Sequence, residues 1–294
     1  MKRSQVIATL KKIQAAPQKS LGQNFLIQNL ALKKILHAAS LKKTHNVLEI
    51  GPGLGILTQN LLKQAKKVIA IEKDSKYSRY LEQKFAPFIQ TRRLILLNQD
   101  ILKINLPQLI NQHLIPKASS KDEADPQYKI VANIPYNIST RLIRLLLTDK
   151  PRAQDITLLV QKEIAQRVCA KPPRANPLSL FARLISQPQI TARIDKSCFY
   201  PIPKVDSAVL SIKKINSRLD LGTAQNQNLL RLIKISFSSP RKTLVNNLCA
   251  RPDLSKKNIQ KILNIIDLPP LIRAQELTLK HWTLLNHKLL FPNS

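Results

Sequence analysis

The sequence predicts an α/β domain followed by a smaller all-helical domain, on three observations. Strand-like and helical segments alternate from about residue 29 to 214, the pattern of a largely parallel sheet flanked by helices. Three of only five glycines, Gly51, Gly53 and Gly55, fall in one strand-to-helix turn. Beyond residue 216 the apolar spacing is helical only. These features place a basic N-terminal segment at 1–28, the α/β domain at 29–215 and the helical domain at 216–294.

Taken in order, "NVLEI" (46–50), "KVIAIE" (67–72), "RLILLNQD" (93–100), "KIVANI" (129–134) and "ITLLVQ" (156–161) are short β-rich runs, with "SAVLSIKKI" (207–215) as a late strand. Between them "ILTQNLLKQA" (56–65) and "STRLIRLLLT" (139–148) carry apolar residues at helical spacing. Residues 111–127 are polar with two prolines and read as a surface insertion. The C-terminal helices are expected in "NLLRLIKISF", "KTLVNNLCA", "SKKNIQKILNII" and "LTLKHWTLLNHKLL".

Charge narrows the partners. The 294 residues carry 48 basic and 17 acidic side chains, a formal net charge of +31. Such a field attracts polyanions, and nucleic acid is the favoured class. The excess is spread out: residues 1–24 hold five basic residues and no acid, and residues 217–294 hold twelve basic and four acidic. No apolar run approaches the ~20 residues of a membrane span, and the N-terminus lacks the pattern of a secretory signal. Cys169, Cys198 and Cys249 are far apart and odd in number. They read as reduced thiols of a cytoplasmic protein, with neither a disulfide framework nor a metal site.

The glycine turn "NVLEIGPGLGILTQNLL" lets a ligand approach the backbone closely. A dinucleotide site would require G-x-G-x-x-G, and Ile56 stands at the sixth position. G-x-G-x-G after a strand ending in an acid resembles instead the first motif of S-adenosylmethionine methyltransferases. The next strand ends at Glu72, placed to accept from both hydroxyls of a ribose. The third ends in Asp100, placed to accept from an adenine amino group.

The fourth strand stops at Asn133-Ile134-Pro135-Tyr136, because proline has no donor for a sheet ladder and fixes its own φ. A strand-ending turn with a buried tyrosine would account for an isolated N-x-P-Y. Downstream of the glycine turn, Glu72 and Asp100, the stretch reads as a base clamp. An exocyclic adenine amine is a poor nucleophile because its lone pair is delocalised into the ring. The Asn133 side-chain oxygen and the Ile134 carbonyl can accept both of its hydrogens and accommodate developing positive charge. Pro135 stiffens the turn, and Tyr136 offers a face for an extruded base, worth ~1–3 kcal/mol.

The motifs "KSLGQNFL" (19–26), "EIGPGLGILT" (49–58), "IEKD" (71–74), "NQDIL" (98–102), "ANIPYNIST" (132–140), "QKEIAQRV" (161–168), "FYPIPKVDSAV" (199–209) and "PRKTL" (240–244) run in one order along nearly the whole chain. In that order they resemble the KsgA-type ribosomal RNA adenine dimethyltransferases. The resemblance implies a Rossmann-like, seven-stranded class I methyltransferase domain with a small C-terminal helical domain. It implies transfer from S-adenosylmethionine, leaving S-adenosylhomocysteine, to N6 of two adjacent adenines near the 3′ end of small-subunit (16S) rRNA. It carries cofactor binding onto Asn24, Leu26, Gly51, Glu72, Asp100 and Asn133, beside Gly53 of the glycine turn. It marks Asn133 and Tyr136 as the adenine clamp and Phe199 as a second stacking face.

The implied partner is small-subunit rRNA within an immature small ribosomal subunit, met by a monomer without metal or membrane. Arg241 and Lys242, at an expected helix start, would be phosphate contacts. One departure stands out: the family has a glycine before the Leu-Ser pair of "CAKPPRANPLSLF" (169–181), and this chain has Asn176-Pro177. Two alternatives remain open, a related large-subunit rRNA methyltransferase and a non-catalytic assembly factor of the small subunit. Intact Gly51, Glu72, Asp100 and Asn133 weigh against the latter, since a pure binder needs none of them.

Overall fold

The computed structural model describes residues 2–18, 22–115, 128–250 and 254–289. The first unit comprises Met1–Ala165 and Gln187–Ser217. Helix α1 (Arg3–Lys12) leads to a two-residue strand β1 (Phe25–Leu26) and helix α2 (Asn29–Ala39). Then follow β2 (Asn46–Ile50), α3 (Ile56–Gln64), β3 (Lys67–Glu72), α4 (Ser75–Lys84), α5 (Ala86–Gln90), β4 (Leu94–Asn98), α6 (Leu106–His113), β5 (Tyr128–Asn133), α7 (Ser139–Thr148) and β6 (Asp155–Gln161). After α8 (Lys162–Cys169) and α9 (Pro177–Ile185), the strands β7 (Gln187–Ile194), β8 (Phe199–Tyr200) and β9 (Ser207–Lys213) complete the unit.

Seven strands form one sheet in the order β4-β3-β2-β5-β6-β9-β7. The first five are mutually parallel and β9 is antiparallel to both its neighbours. Strands β2, β3 and β5 are almost continuously apolar and buried, as strands covered on both faces must be. From β2 the chain first winds outward to β3 and β4, then returns to add β5 and β6 on the other side. The reversal lies between β2 and β5, where an open α/β sheet leaves a crevice at the carboxyl ends of its strands. The glycine turn and the Asn133 turn both open there.

Gly55 shows why the turn needs its glycines. Its φ is +73°, and a Cβ would lie 2.5 Å from Cε2 of Phe85 and 2.7 Å from Cδ2 of Leu81. A side chain would be strained by the backbone and rejected by the core at once.

The second unit comprises Gln166–Ser186 and Arg218–Ser294, so the chain enters it twice. A single linear boundary near 216 misses the first passage, which carries α9. Its other helices are α10 (Ala224–Ser236), α11 (Leu244–Leu248), α12 (Lys256–Ile265) and α13 (Leu279–Leu289). Leu180 joins Leu232, Leu248, Ile259 and Trp282 in one core, and Phe237 stacks on Trp282 at 6.1 Å. Asn176, standing where the resemblance leads one to expect a glycine, caps α9: its Oδ1 accepts from the amides of Leu178 and Ser179 at 3.0 and 3.1 Å, and Pro177 takes the first helical position. Arg241 and Lys242 are exposed just before α11.

The tip of the 111–127 insertion, residues 116–127, lies outside the described residues, as do residues 19–21 of "KSLGQNFL". Residues 111–113 end α6.

Candidate active site

A cavity opens at the carboxyl ends of β2, β3, β4 and β5, roofed by residues 22–26. Asn24, Leu26, Gly51, Gly53, Glu72, Asp100 and Asn133 all line it, as do Ile134, Pro135 and Tyr136. Ten of the eleven site residues expected from the sequence therefore meet at one place. Phe199 is the exception.

At the end of β3 the Glu72 carboxylate is nearly buried. Its Oε2 accepts from the Gly53 amide and its Oε1 from the Asp74 amide, both at 2.9 Å. Burial pushes its pKa up, and those two amides pull it back down. A carboxylate oxygen has two lone pairs, so each oxygen keeps one for a ligand hydroxyl. Asp100 is held differently. Its Oδ1 accepts from the Leu102 amide at 3.0 Å and its Oδ2 pairs with Lys73 at 3.0 Å. The Leu102 amide, and after it Lys73, hold the carboxyl below its usual range against a partial burial.

Glu49 was noted in the sequence only as an acid ending a strand, and it carries the strongest demand for a ligand. It lines the cavity, is 1% exposed, and neither carboxylate oxygen has a hydrogen-bond partner. Burial pushes its pKa up to about 8 and the nearby Glu72 charge adds to it; the hydroxyl and amide of Thr58 lie close enough to oppose this without making a hydrogen bond of good geometry. A buried carboxyl without a partner is costly, and a ligand ammonium would relieve it. The signal was a single ionisable residue inside the apolar strand "NVLEI".

At the end of β5 the Asn133 Nδ2 donates to the carbonyl of Asn24 at 3.1 Å. A carbonyl can only accept, so it is the NH2 group that must face residue 24. The amide is thereby locked, and Oδ1 is the end left for a hydrogen donor. The Pro135 carbonyl accepts from the Ile138 amide at 3.3 Å and the Ser139 hydroxyl at 3.1 Å, which ties the turn to α7. Tyr136 is half-buried, and its hydroxyl meets the Ser207 hydroxyl at 2.7 Å. Gly22, at φ +62°, lies so close over this turn that a Cβ would stand 3.0 Å from the Tyr136 nitrogen.

Phe199 is fully buried. It pairs with Leu26 across the small β1–β8 sheet, and its ring belongs to the apolar cluster with Leu26, Ile35 and Val209. The expected second stacking face is therefore not presented at the cavity. A two-residue strand places alternate side chains on opposite faces, and Phe199 takes the inward one.

The residues present fit S-adenosylmethionine: an unpartnered buried acid for an ammonium, a carboxylate with spare lone pairs for a ribose, and glycine backbone where a tail must pass closely. Among the described residues no group of three metal-binding side chains occurs, and no helix is long and apolar enough to cross a membrane.

Comparison with known proteins gives one family. The profile described as "Ribosomal RNA adenine dimethylase" matches residues 15–279. A protein of Dehalococcoides mccartyi named "Ribosomal RNA small subunit methyltransferase A" is 36% identical over 265 residues, covering 90% of this chain and 86% of its own. A protein of the same name from Crocosphaera subtropica is 37% identical over 279 residues, with 92% and 97% covered. The crystal structure of a dimethyladenosine transferase from Plasmodium falciparum superposes with a TM-score of 0.69 at 27% identity, covering 90% of this chain and 98% of the other. That of the 23S rRNA methyltransferase ErmE shares the fold, with a TM-score of 0.68 at 21% identity and coverages of 90% and 99%.

Proposed function

The chain belongs to the ribosomal RNA adenine dimethylase family, and on that premise we propose that it methylates N6 of two adjacent adenines near the 3′ end of small-subunit rRNA, with S-adenosylmethionine as methyl donor. The observation that carries this reading is the locked amide of Asn133, whose NH2 is taken by Asn24 and whose oxygen is left at the cavity.

Bound S-adenosylmethionine supplies an electrophilic methyl group on a sulfonium. Glu49 would hold its ammonium, Glu72 its ribose hydroxyls and Asp100 its adenine amino group. The remaining work is positioning, which can account for much of a barrier when the partners are aligned about 3 Å apart. Asn133 Oδ1 and the Ile134 carbonyl accept the two N–H hydrogens of the target amine and draw its nitrogen toward a tetrahedral form. As the nitrogen forms its new bond it gains positive charge, which those two acceptors stabilise, and its proton passes to solvent. The first product retains a single N–H. The second round therefore uses one of the two acceptors, with Tyr136 stacking on the base in both.

The basic surface supports an RNA partner through phosphate contacts, for which affinity falls steeply with salt. The protein would act as a monomer in the cytoplasm on an immature small subunit. The test is methyl transfer from labelled S-adenosylmethionine to unmethylated small subunits, with large subunits in parallel and dimethyladenosine as the readout. Product confined to small subunits is expected. Tight, salt-sensitive binding without transfer would point instead to a non-catalytic assembly factor.

A further inference from the structure

We propose that Ser207 is a positioning residue for the base clamp, holding the Tyr136 ring in place through its phenolic hydroxyl. The inference rests on the reading of Asn133–Tyr136 as that clamp. The two hydroxyls are 2.7 Å apart, and Ser207 is fully buried. It is the first residue of β9, in register with Gln161 of β6 and Ile194 of β7. Because β9 runs antiparallel to β6, its first residue lies at the edge where β5 and β6 end. Tyr136 follows β5, one strand beyond β6, so its phenol reaches sideways across the end of β6.

The ring is then held at both ends. Its backbone is fixed by the bonds to the Pro135 carbonyl, and its hydroxyl by Ser207. A stacking surface that is already ordered spares the base the entropy of ordering it. Burial raises the Tyr136 phenol above its ordinary value, with the Ser207 bond pulling the other way. It therefore stays a neutral hydroxyl at working pH and keeps the bond. The stretch "FYPIPKVDS" thus serves the cavity through its serine, whereas its phenylalanine is core.

The test compares wild type, Ser207→Ala, Ser207→Thr, Tyr136→Phe and the Ser207→Ala/Tyr136→Phe double variant on unmethylated small subunits. Wild type must transfer; if it does not, the proposed function fails and not this inference. Ser207→Ala is expected to lose about 3- to 10-fold in kcat, with cofactor affinity unchanged. Ser207→Thr should recover most of the loss, and Ser207→Ala should add nothing in the Tyr136→Phe background. Additive losses, or a lowered melting temperature with wild-type kcat, would overturn the proposal. If Ser207→Ala does not fold, Tyr136→Phe breaks the same bond from the other side. Wild-type kcat in that variant would overturn the proposal equally.

Discussion

The two edges formed by the amino and the carboxyl ends of the central strands treat their polar groups in opposite ways. Strand β5 runs from Tyr128 to Asn133, with Lys129 second in it. Lys129 is nearly buried and fully engaged: its Nζ pairs with Asp155 at 2.9 Å and donates to the carbonyls of Ala39 and Ser40 at 3.2 and 3.3 Å. Next to it on β2, the Asn46 side chain donates to the Leu114 carbonyl at 2.7 Å. At the other edge the same two strands carry Glu49, one residue before the end of β2 and with neither oxygen partnered, and Asn133, which ends β5 and is bonded through one end of its amide only. One edge spends its polar capacity inside the protein and the other keeps it for a ligand. That separates a structural charge from a functional one without reference to residue type.

Breaking the first edge should cost the most. Lys129→Ala leaves Asp155 and two carbonyls without their cation, and stability is expected to fall by about 3–5 kcal/mol. Denaturant unfolding measures this, and kcat of the folded fraction should stay at the wild-type value. Asn133→Ala should invert the pattern. Methyl transfer falls by about 100- to 1000-fold with little change in melting temperature or RNA binding, as when one preorganised polar contact to a developing charge is lost. Equal loss of binding and stability would instead make Asn133 a structural residue.

Smaller effects sharpen the contrast within the ligand edge. Glu72→Gln replaces a charged acceptor by a neutral one and should weaken S-adenosylmethionine binding about 10- to 100-fold by calorimetry. Glu49 should show itself through pH. Its folded pKa is raised from 4.5 to about 8, so its contribution to stability is fully present below 4.5 and is lost as the pH rises through about 8. Thermal melts of the ligand-free protein should therefore show Glu49→Gln gaining on wild type as the pH rises from about 4.5 to about 8, with no further gain above that. The same substitution should weaken cofactor binding.

Much of this was legible in the chain. "NVLEI" and "KVIAIE" became β2 and β3 residue for residue, because a continuous apolar run bounded by turn residues has few other homes. Strand β7 was not legible. "QPQITARI" is an edge strand, mostly exposed and carrying Pro188, so it has neither a buried run nor clean alternation. The pair β1 and β8 is too short for any period to register. The second unit's claim on residues 166–186 was hidden for another reason. Those residues hold the end of α8, a polar loop and α9, none of which differs in pattern from the helices of the first unit, and only the core they share with α10–α13 assigns them.

By itself the sequence determined the buried strands of the central sheet, the glycine turn and the set of residues that meet at the strand ends, since each is written in neighbouring side chains and their backbone preferences. The tertiary structure alone decided how those residues are held. It turned the Asn133 amide toward Asn24, 109 positions earlier, and tied Tyr136 to Ser207, 71 positions later. It also sent Phe199 into the core and left Glu49 without a partner. A hydrogen bond between distant segments, or its absence, depends on where the fold brings their backbones together, and no local preference encodes that.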